Sequence, residues 1–384
     1  MKGGRRQSAP ASFPFYKKNQ MDKKTSLSLL SLLMPLLIIL LLLFYQASRE
    51  DRQNNSEETP KTYTSEELKD MHAIDTHAHL WTAEYLDRLK AAGSEGTDVA
   101  RDLGAYIDDD QIARRLAMMD SAGVAMQVLS ATPQSPEYGT EEEAVALARY
   151  INDQYAELMA KHPDRFIAYM ALPLPYVEAS IEEFHRNQDR PGFKGVALNT
   201  LIRGEISPAD TTFLPLYDEL NRAKTIVYYH PTGCGAKSPM VNNYGLTWVV
   251  GAPIEDLLLP LQLLKNDIPG RFPDITFHLA HLGGGIAFQM QRIEDNYTDW
   301  GAFKSSPREA LGKFYYDAAN FYTGALELSV KTFGADRHMM GSDFPYFQDD
   351  RYTRAVTYIL NSDLSDEDKA RILHLNAELL YRLK

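Results

Sequence analysis

Residues 72–80 read HAIDTHAHL, a short run of strand-forming residues that carries three histidines, His72, His77 and His79. Further β-rich runs follow along the chain, and longer amphipathic stretches separate them. These runs are residues 124–131, 166–174, 193–199, 225–231, 275–281, 314–319 and 338–345. Strands that alternate with helices form parallel sheets with right-handed crossovers. Eight such units after residue 70 therefore predict an α/β fold, a (β/α)₈ TIM-like barrel.

The helical stretches complete this pattern. They are residues 110–122, 141–161, 213–223, 254–264, 286–297, 323–333 and 350–360, with a last helix at 365–383. The alternative fold is an open doubly wound sheet, but no glycine-rich phosphate loop follows any predicted strand, which disfavours a nucleotide-binding version. The long segments 81–109 and 232–253 follow the first and fifth strands. They are expected on the C-terminal face, where barrel enzymes build their active sites.

An apolar segment precedes the barrel. Residues 27–45 read LSLLSLLMPLLIILLLLFY without a charge, and about 20 apolar residues suffice for a transmembrane helix. The basic residues 1–26 are therefore predicted to be a cytoplasmic tail, with one span and an extracytoplasmic (periplasmic or extracellular) body. Cleavage of residues 27–45 as a signal peptide, followed by secretion, is the alternative. Residues 46–70 are interpreted as a polar linker, and the barrel is expected to occupy residues 71–384.

Charge and cysteine content exclude several classes of protein. The 384 residues carry a net charge of −12, of which residues 1–26 contribute +6, so the remainder carries −18. An acidic body of this kind disfavours nucleic acid as a partner. The single cysteine, Cys234, excludes an intrachain disulfide and a cysteine-based zinc site. Composition is otherwise that of a globular protein, with 44% apolar and 24% charged residues.

Histidines and one aspartate lie at the ends of predicted strands. His77 and His79 stand two residues apart on the first strand, so their side chains point to one face. His230 ends the fifth strand, and Asp343 lies near the end of the eighth. Three imidazole nitrogens and a carboxylate suit a zinc-like divalent ion. These residues are far apart in sequence and meet only if the sheet closes into a barrel.

The sixth strand carries two more histidines, His278 and His281. Strand alternation places them on opposite faces. We expect His281 to line the site beside Gly283–Gly285, which allows a close backbone approach. His278 is expected to face the surrounding helices.

Several segments together resemble the amidohydrolase superfamily, and within it the amidohydrolase-2 branch, which includes aminocarboxymuconate-semialdehyde decarboxylase and related aromatic-acid decarboxylases. The matching segments are IDTHAHLW (74–81), KHPDRF (161–166), YYHPTG (228–233), GAPIEDLLLPLQLL (251–264), RFPDITFHLAHLGGG (271–285) and GSDFPY (341–346). The resemblance extends over residues 71–384. It implies a (β/α)₈ barrel with one divalent metal ion.

The resemblance also implies roles for individual residues. The metal ligands are His77, His79, His230 and Asp343, and His281 is the catalytic histidine. Zinc is typical of members with the HxH pair, whereas manganese is associated with members that have Glu in place of the first histidine.

For the substrate, the resemblance implies an arginine after the first strand that holds a carboxylate, for which Arg101 is the candidate. Trp81, Tyr228 and Tyr229 are candidates for packing an aromatic ring.

Three functions remain open at this point. The first is a metal-dependent carboxy-lyase acting on a small aromatic or unsaturated carboxylic acid, in which His281 transfers a proton and Asp343 holds the metal and its water or substrate. The second is a metal-dependent hydrolase of a lactone, ester or amide at the same site. The third is a membrane-tethered binding protein without activity. The expected partners are a small-molecule acid and the membrane, and a homodimer is compatible with this interpretation.

Overall fold

Eight parallel strands pair in the order of the sequence. They are β1 (Ala73–His79), β2 (Val124–Ser130), β3 (Phe166–Ala171), β4 (Phe193–Asn199), β5 (Ile226–His230), β6 (Thr276–Leu279), β7 (Tyr315–Asp317) and β8 (His338–Met339). The segment after β8 then hydrogen-bonds to β1: Thr76 N donates to Met340 O (2.9 Å) and Asp343 N donates to His77 O (2.9 Å). These bonds bring the first and last strands together, and the predicted TIM-like barrel is confirmed.

The computed structural model describes Ile39, residues 60–104 and residues 106–383. The predicted cytoplasmic tail at 1–26, the membrane span at 27–45 except Ile39, and most of the linker lie outside these residues. The compact unit of the barrel comprises Pro60–Lys384. It therefore begins within the predicted linker.

Helices cover the outside of the barrel. They are α1 (Ser65–Leu68), α2 (Ala83–Ala91), α3 (Asp109–Ser121), α4 (Glu141–Lys161), α5 (Val177–Asn187), α6 (Leu214–Arg222), α7 (Pro239–Asn242), α8 (Ala252–Lys265), α9 (Ile268–Arg271), α10 (Ile286–Trp300), α11 (Pro307–Leu311), α12 (Thr323–Phe333), α13 (Asp350–Leu360), α14 (Asp366–Ala370) and α15 (Asn376–Tyr381). Helices α1, α2, α5, α7, α9 and α11 were not predicted from the sequence. The longest of these are α2 and α5, which begin soon after β1 and β3.

Helix α1 shows why the folded unit starts earlier than predicted. Thr64 and Glu67 form a capping box that begins this helix. Leu68 at its end is fully buried in the core. The Thr-Ser-Glu-Glu sequence at 64–67 is the start signal of this helix, although its polar composition had placed it in the predicted linker.

Two apolar layers hold the barrel. The interior layer includes Ile74, Val128, Tyr169 and Tyr228, and Tyr381 of α15 closes its lower end, with its hydroxyl 2.6 Å from that of Tyr169. A larger layer packs between strands and helices. Both faces of each strand are covered, so most strand residues are buried, as is typical of parallel sheets.

One described helical stretch, Thr247–Lys265, is long and apolar enough to cross a membrane by length and composition. Leu259 and Leu263 on this stretch are buried in the layer between strands and helices. This burial is that of a core helix of the barrel.

The loop after β2 contains a buried carboxyl group, Glu137. Its Oε2 accepts a hydrogen bond from Arg203 N at 2.9 Å. Burial nevertheless raises the pKa of Glu137 to about 7. Because this folded-state pKa exceeds the ordinary value of 4.5, the group's contribution to stability is complete below about pH 4.5 and is lost as the pH rises through 7.

We therefore expect Glu137→Gln to change the pH dependence of unfolding. Relative to the variant, the wild type should lose on the order of 3 kcal/mol of unfolding free energy between pH 5 and pH 8, at about 1.4 kcal/mol per pKa unit. Urea unfolding at several pH values measures this difference. Glu142→Gln, at an exposed position of α4, is the control, and parallel wild-type and Glu137→Gln curves would contradict the expectation.

Candidate metal centre

Four predicted side chains meet at the C-terminal end of the barrel. His77 Nε2 lies 3.2 Å from His79 Nε2, and each of these nitrogens lies 3.3 Å from Asp343 Oδ1. His230 Nε2 lies 4.0 Å from the same oxygen. Strands β1 and β5 and the segment after β8 thus direct three imidazoles and a carboxylate to one point.

In each of the three histidines, the other ring nitrogen, Nδ1, lies close to a polar group outside the cluster. His230 Nδ1 donates to Pro231 O at 2.8 Å, because a carbonyl can only accept. His77 Nδ1 lies 3.0 Å from Asp317 Oδ2, and His79 Nδ1 lies 3.0 Å from Ser130 Oγ. A proton on Nδ1 leaves the lone pair on Nε2 free, which is the arrangement of metal-binding histidines.

The donor set fits a divalent metal ion. His230 Nε2 is buried without a hydrogen-bond partner among the described residues. Burial lowers the pKa of His79 to about 4 and that of His230 well below its usual value, so both rings are neutral donors. Burial raises the pKa of Asp343, but the histidines around it, His77 foremost, hold that pKa well below its ordinary value.

His281, which follows the end of β6, also lies near Asp343 but contacts its other carboxylate oxygen. Its Nε2 lies 3.6 Å from Asp343 Oδ2, whereas the nearest contacts of the other three histidines are to Oδ1. Its Nδ1 lies 2.9 Å from Asp256 Oδ2 on α8. Burial lowers the pKa of His281, but the charge and hydrogen bond of Asp256 outweigh burial and hold the pKa well above its usual value. A carboxylate on Nδ1 leaves Nε2 facing the cluster.

Backbone conformation places the His281 side chain. Strand β6 ends at Leu279, and His281 has a φ of 51°, in the left-handed region that few non-glycine residues adopt. Gly284 continues this conformation, and a Cβ there would lie 2.0 Å from Pro253 O. Glycine at this position therefore lets α8 approach closely enough for Asp256 to reach His281.

The prediction that His278 faces the helices is wrong. Its Nδ1 lies 3.0 Å from the Tyr169 hydroxyl, and its ring centroid lies 4.7 Å from that of Tyr228 inside the barrel. The alternation rule holds only within a strand, and the chain leaves extended geometry between His278 and His281. Both side chains therefore point inward, at different depths.

Asp256 and Asp317 also contact the histidines, but neither was predicted from the sequence as a site residue. Asp317 on β7 lies beside His77 and also accepts a hydrogen bond from His281 N at 3.0 Å. Both carboxylates are buried. A carboxylate within a predicted helix or strand could have identified each residue as a candidate for the site. The sequence spacing, however, did not relate either carboxylate to a particular histidine.

The aromatic candidates for substrate contact lie behind the site. Tyr229 packs toward the helices, with its hydroxyl 2.6 Å from that of Tyr217 on α6, so its assignment as a substrate residue is wrong. Tyr228 lies in the barrel interior and donates to Asp317 Oδ2 at 3.1 Å. Trp81 is fully buried, donates to Ala131 O at 2.7 Å and stacks on His79. It positions His79 rather than a substrate.

Arg101 is engaged elsewhere. Its guanidinium lies 2.9 Å from Asp87 Oδ1 and 3.6 Å from Asp98 Oδ1. These surface ion pairs occupy the cation that was predicted to hold a carboxylate.

A cavity of about 530 Å³ opens above the cluster. It is lined by Val99, His230, Pro231, Trp248, Val249, Ala252, Pro253, His281, Ala319, Asn320, Phe321, Asp343, Tyr346 and Phe347. The segment 232–253 contributes part of this wall, as its position after β5 predicted. The floor of the cavity is polar, and the wall is largely apolar.

A closed parallel barrel with a cluster of three histidines and an aspartate at its C-terminal end defines a metal-dependent barrel protein. The chain belongs to the amidohydrolase family, whose model matches residues 74–383. The resemblance to the amidohydrolase-2 branch is thereby confirmed.

Curated relatives and solved structures agree with this membership. The 2-amino-3-carboxymuconate-6-semialdehyde decarboxylase of Dictyostelium discoideum is 30% identical over 238 residues, which are 60% of this chain and 66% of that protein. The gamma-resorcylate decarboxylase of a Rhizobium species is 27% identical over 289 residues, which are 70% of this chain and 86% of that protein.

A crystal structure is similar in fold. It is that of a dihydroxybenzoic acid decarboxylase from a Polaromonas species, with bound manganese and the inhibitor 2-nitroresorcinol. It matches with a TM-score of 0.71 at 22% identity, covering 81% of this chain and 97% of that one.

Proposed function

We propose that this chain is a metal-dependent carboxy-lyase that removes CO₂ from an aromatic or unsaturated carboxylic acid. The observation that carries the proposal is that the two carboxylate oxygens of Asp343 face different histidines. Its Oδ1 faces the Nε2 atoms of His77 and His79, while its Oδ2 faces Nε2 of His281. A metal position and a proton-transfer group therefore share one carboxylate at the floor of the cavity. The decarboxylase relatives support the same reaction class.

The chain's residues have distinct roles in this reaction. His77, His79, His230 and Asp343 would hold the ion, which when bound supplies positive charge that stabilises the electron pair left behind by departing CO₂. His281 Nε2 donates the replacing proton.

The step balances in bonds, electrons and protons. The carbon–carbon bond to the carboxylate breaks, CO₂ leaves, and the electron pair stays on the substrate carbon. A carbon–hydrogen bond then forms with the proton from His281. Asp256 holds Nδ1 and stabilises the protonated ring before the transfer.

Zinc is the proposed metal, because three imidazole nitrogens and one carboxylate are ligands that zinc prefers. Manganese, which the Polaromonas decarboxylase contains, is the competing ion. Elemental analysis of the purified chain distinguishes them, and one zinc ion per chain is the expected result. A chain purified with one manganese ion, and reactivated by manganese but not by zinc, would contradict the zinc assignment.

Removal and restoration of the metal tests the reaction class. We expect a chelator to abolish CO₂ release from a panel of hydroxybenzoates and unsaturated acids, and stoichiometric metal to restore it. The readout is CO₂, measured beside hydrolysis of lactones, esters and amides. Metal-dependent hydrolysis without CO₂ release from any acid would instead support the hydrolase.

The chain is further proposed to be anchored by residues 27–45, with the barrel outside the cytoplasm. The support is the uncharged apolar run behind a basic segment. A reporter fused after Lys384 should be active only outside the cytoplasm. Cytoplasmic activity would overturn the orientation, and a mature N-terminus just after residue 47 would show secretion after cleavage instead.

A further inference from the structure

The cavity has a polar floor and an apolar wall. Its polar floor consists of His230, His281 and Asp343. The opposite wall presents Trp248, Val249 and aromatic side chains that follow β7 and β8. A volume of about 530 Å³ lies within the range of about 300–1,000 Å³ that accommodates a drug-sized ligand. The cavity therefore has room for more than one substituted ring.

Apart from the two histidines of the floor, no lysine or arginine side chain lines this cavity among the residues that the structure describes. Asp343 is its single carboxylate, and Asn320 is its single amide. Two neighbouring cations are paired elsewhere, Arg101 with Asp87 and Lys237 with Glu205 at 2.7 Å. The guanidinium of Arg354 lies 4.9 Å from the centroid of the Phe321 ring but does not line the cavity. A second ionised group on a substrate would lose its hydration against this wall without a counter-charge, which costs several kcal/mol or more.

The apolar wall is held in place. Gly233 has a φ of +71°, and a Cβ there would lie 2.0 Å from the Trp248 indole, so this ring lies directly on the backbone. Phe321 adopts a left-handed φ of 64° and meets Phe347 edge to face, with ring centroids 4.8 Å apart. Strained conformations of this kind occur preferentially at functional sites. The wall is a built surface for an apolar group.

We propose that the acid decarboxylated at this site carries a single carboxylate and an uncharged apolar substituent, an alkyl chain or a second ring. The carboxylate lies at the floor, and the substituent lies against Trp248, Phe321 and Phe347. This inference rests on the proposed function and narrows its substrate class. It excludes dicarboxylic acids whose second carboxylate would face the wall.

Binding of unreactive analogues tests the inference without turnover. The probes are 2-nitroresorcinol and its derivatives with a pentyl group or a carboxylate at position 5, opposite the nitro group, titrated calorimetrically into the metal-loaded full chain. We expect the pentyl derivative to bind about tenfold or more tightly than the parent, because it buries several methylene groups. The carboxylate derivative should bind about tenfold or more weakly.

Two matched variants test whether the cavity wall causes the difference in affinity between the probes. Val249 lines the cavity mouth, whereas its exposed neighbour Val250 does not line it. We expect Val249→Arg to tighten binding of the carboxylate derivative about tenfold, because a cation then faces the second charge. Val250→Arg should leave the order of affinities unchanged.

The outcomes separate this inference from the proposed function. A carboxylate derivative that binds as tightly as the pentyl derivative, or a failure of all three probes to bind, would overturn the inference. If the probes bind in the expected order but the corresponding acids release no CO₂, the proposed function is contradicted and the apolar binding site is supported. If the acids release CO₂ but the probes bind in the reversed order, the proposed function is supported and the inference about the apolar substituent is contradicted.

Discussion

His79→Ala is expected to leave the chain without its metal. His79 Nε2 lies 3.2 Å from His77 Nε2 and 3.3 Å from Asp343 Oδ1, so its removal deletes one of the four proposed ligands. Loss of an outer partner of a ligand already costs about 10–100-fold in metal affinity, so loss of the ligand itself should exceed that. Metal content after dialysis and turnover measure the effect, and both should fall together.

The control for this variant is His185→Ala, since His185 is an exposed histidine on α5. It should retain one metal ion per chain and wild-type turnover. Circular dichroism verifies that both variants are folded. A folded His79→Ala protein that retains its metal would remove His79 from the ligand set.

His281→Ala is expected to retain most of its metal and to lose turnover by about 10²–10⁴, the scale of a lost general acid or base. The physical reason is that His281 faces the second oxygen of Asp343 and is held by Asp256, outside the set that shares Oδ1. Metal analysis and initial rates of the same preparation measure the two quantities separately. A His281→Ala protein as depleted of metal as His79→Ala would make His281 a ligand.

Asp256 offers a second variant on the same pair. We expect Asp256→Asn to retain metal and to lower turnover by less than His281→Ala, because the asparagine amide oxygen still accepts from Nδ1 but no longer carries charge. Its pH–rate profile should shift to lower pH, since the carboxylate charge favours the protonated ring. An unchanged profile would show that Asp256 serves packing alone.

Much of the fold was predictable because alternation of strands and helices is a local pattern. The eight strands start within two residues of their predicted positions, and the HAIDTHAHL segment places His77 and His79 on the barrel interior. Barrel closure then follows from topology, and closure is what brings Asp343 to His77 and His79. The metal cluster was therefore accessible from spacing and strand order together.

The failed predictions have different physical causes. Strand β6 ends before His281, and the left-handed residues after it reset the alternation that had placed His278 outside. Tyr229 was placed at the site by its position beside His230, although adjacent strand residues point to opposite faces. Arg101 was chosen by its place after β1, but its ion-pair partners could be identified only from the folded loop.

The most direct test of a metal-dependent decarboxylase follows isotopes through one turnover. The substrates are 2,6-dihydroxybenzoate and its 4-pentyl derivative, each with ¹³C in the carboxylate, incubated with the metal-loaded chain in D₂O. We predict labelled CO₂ and a product with one deuterium at the carbon that lost the carboxylate, both abolished by a chelator. A product that keeps its labelled carboxyl carbon, or no labelled CO₂ from either acid, would contradict the account.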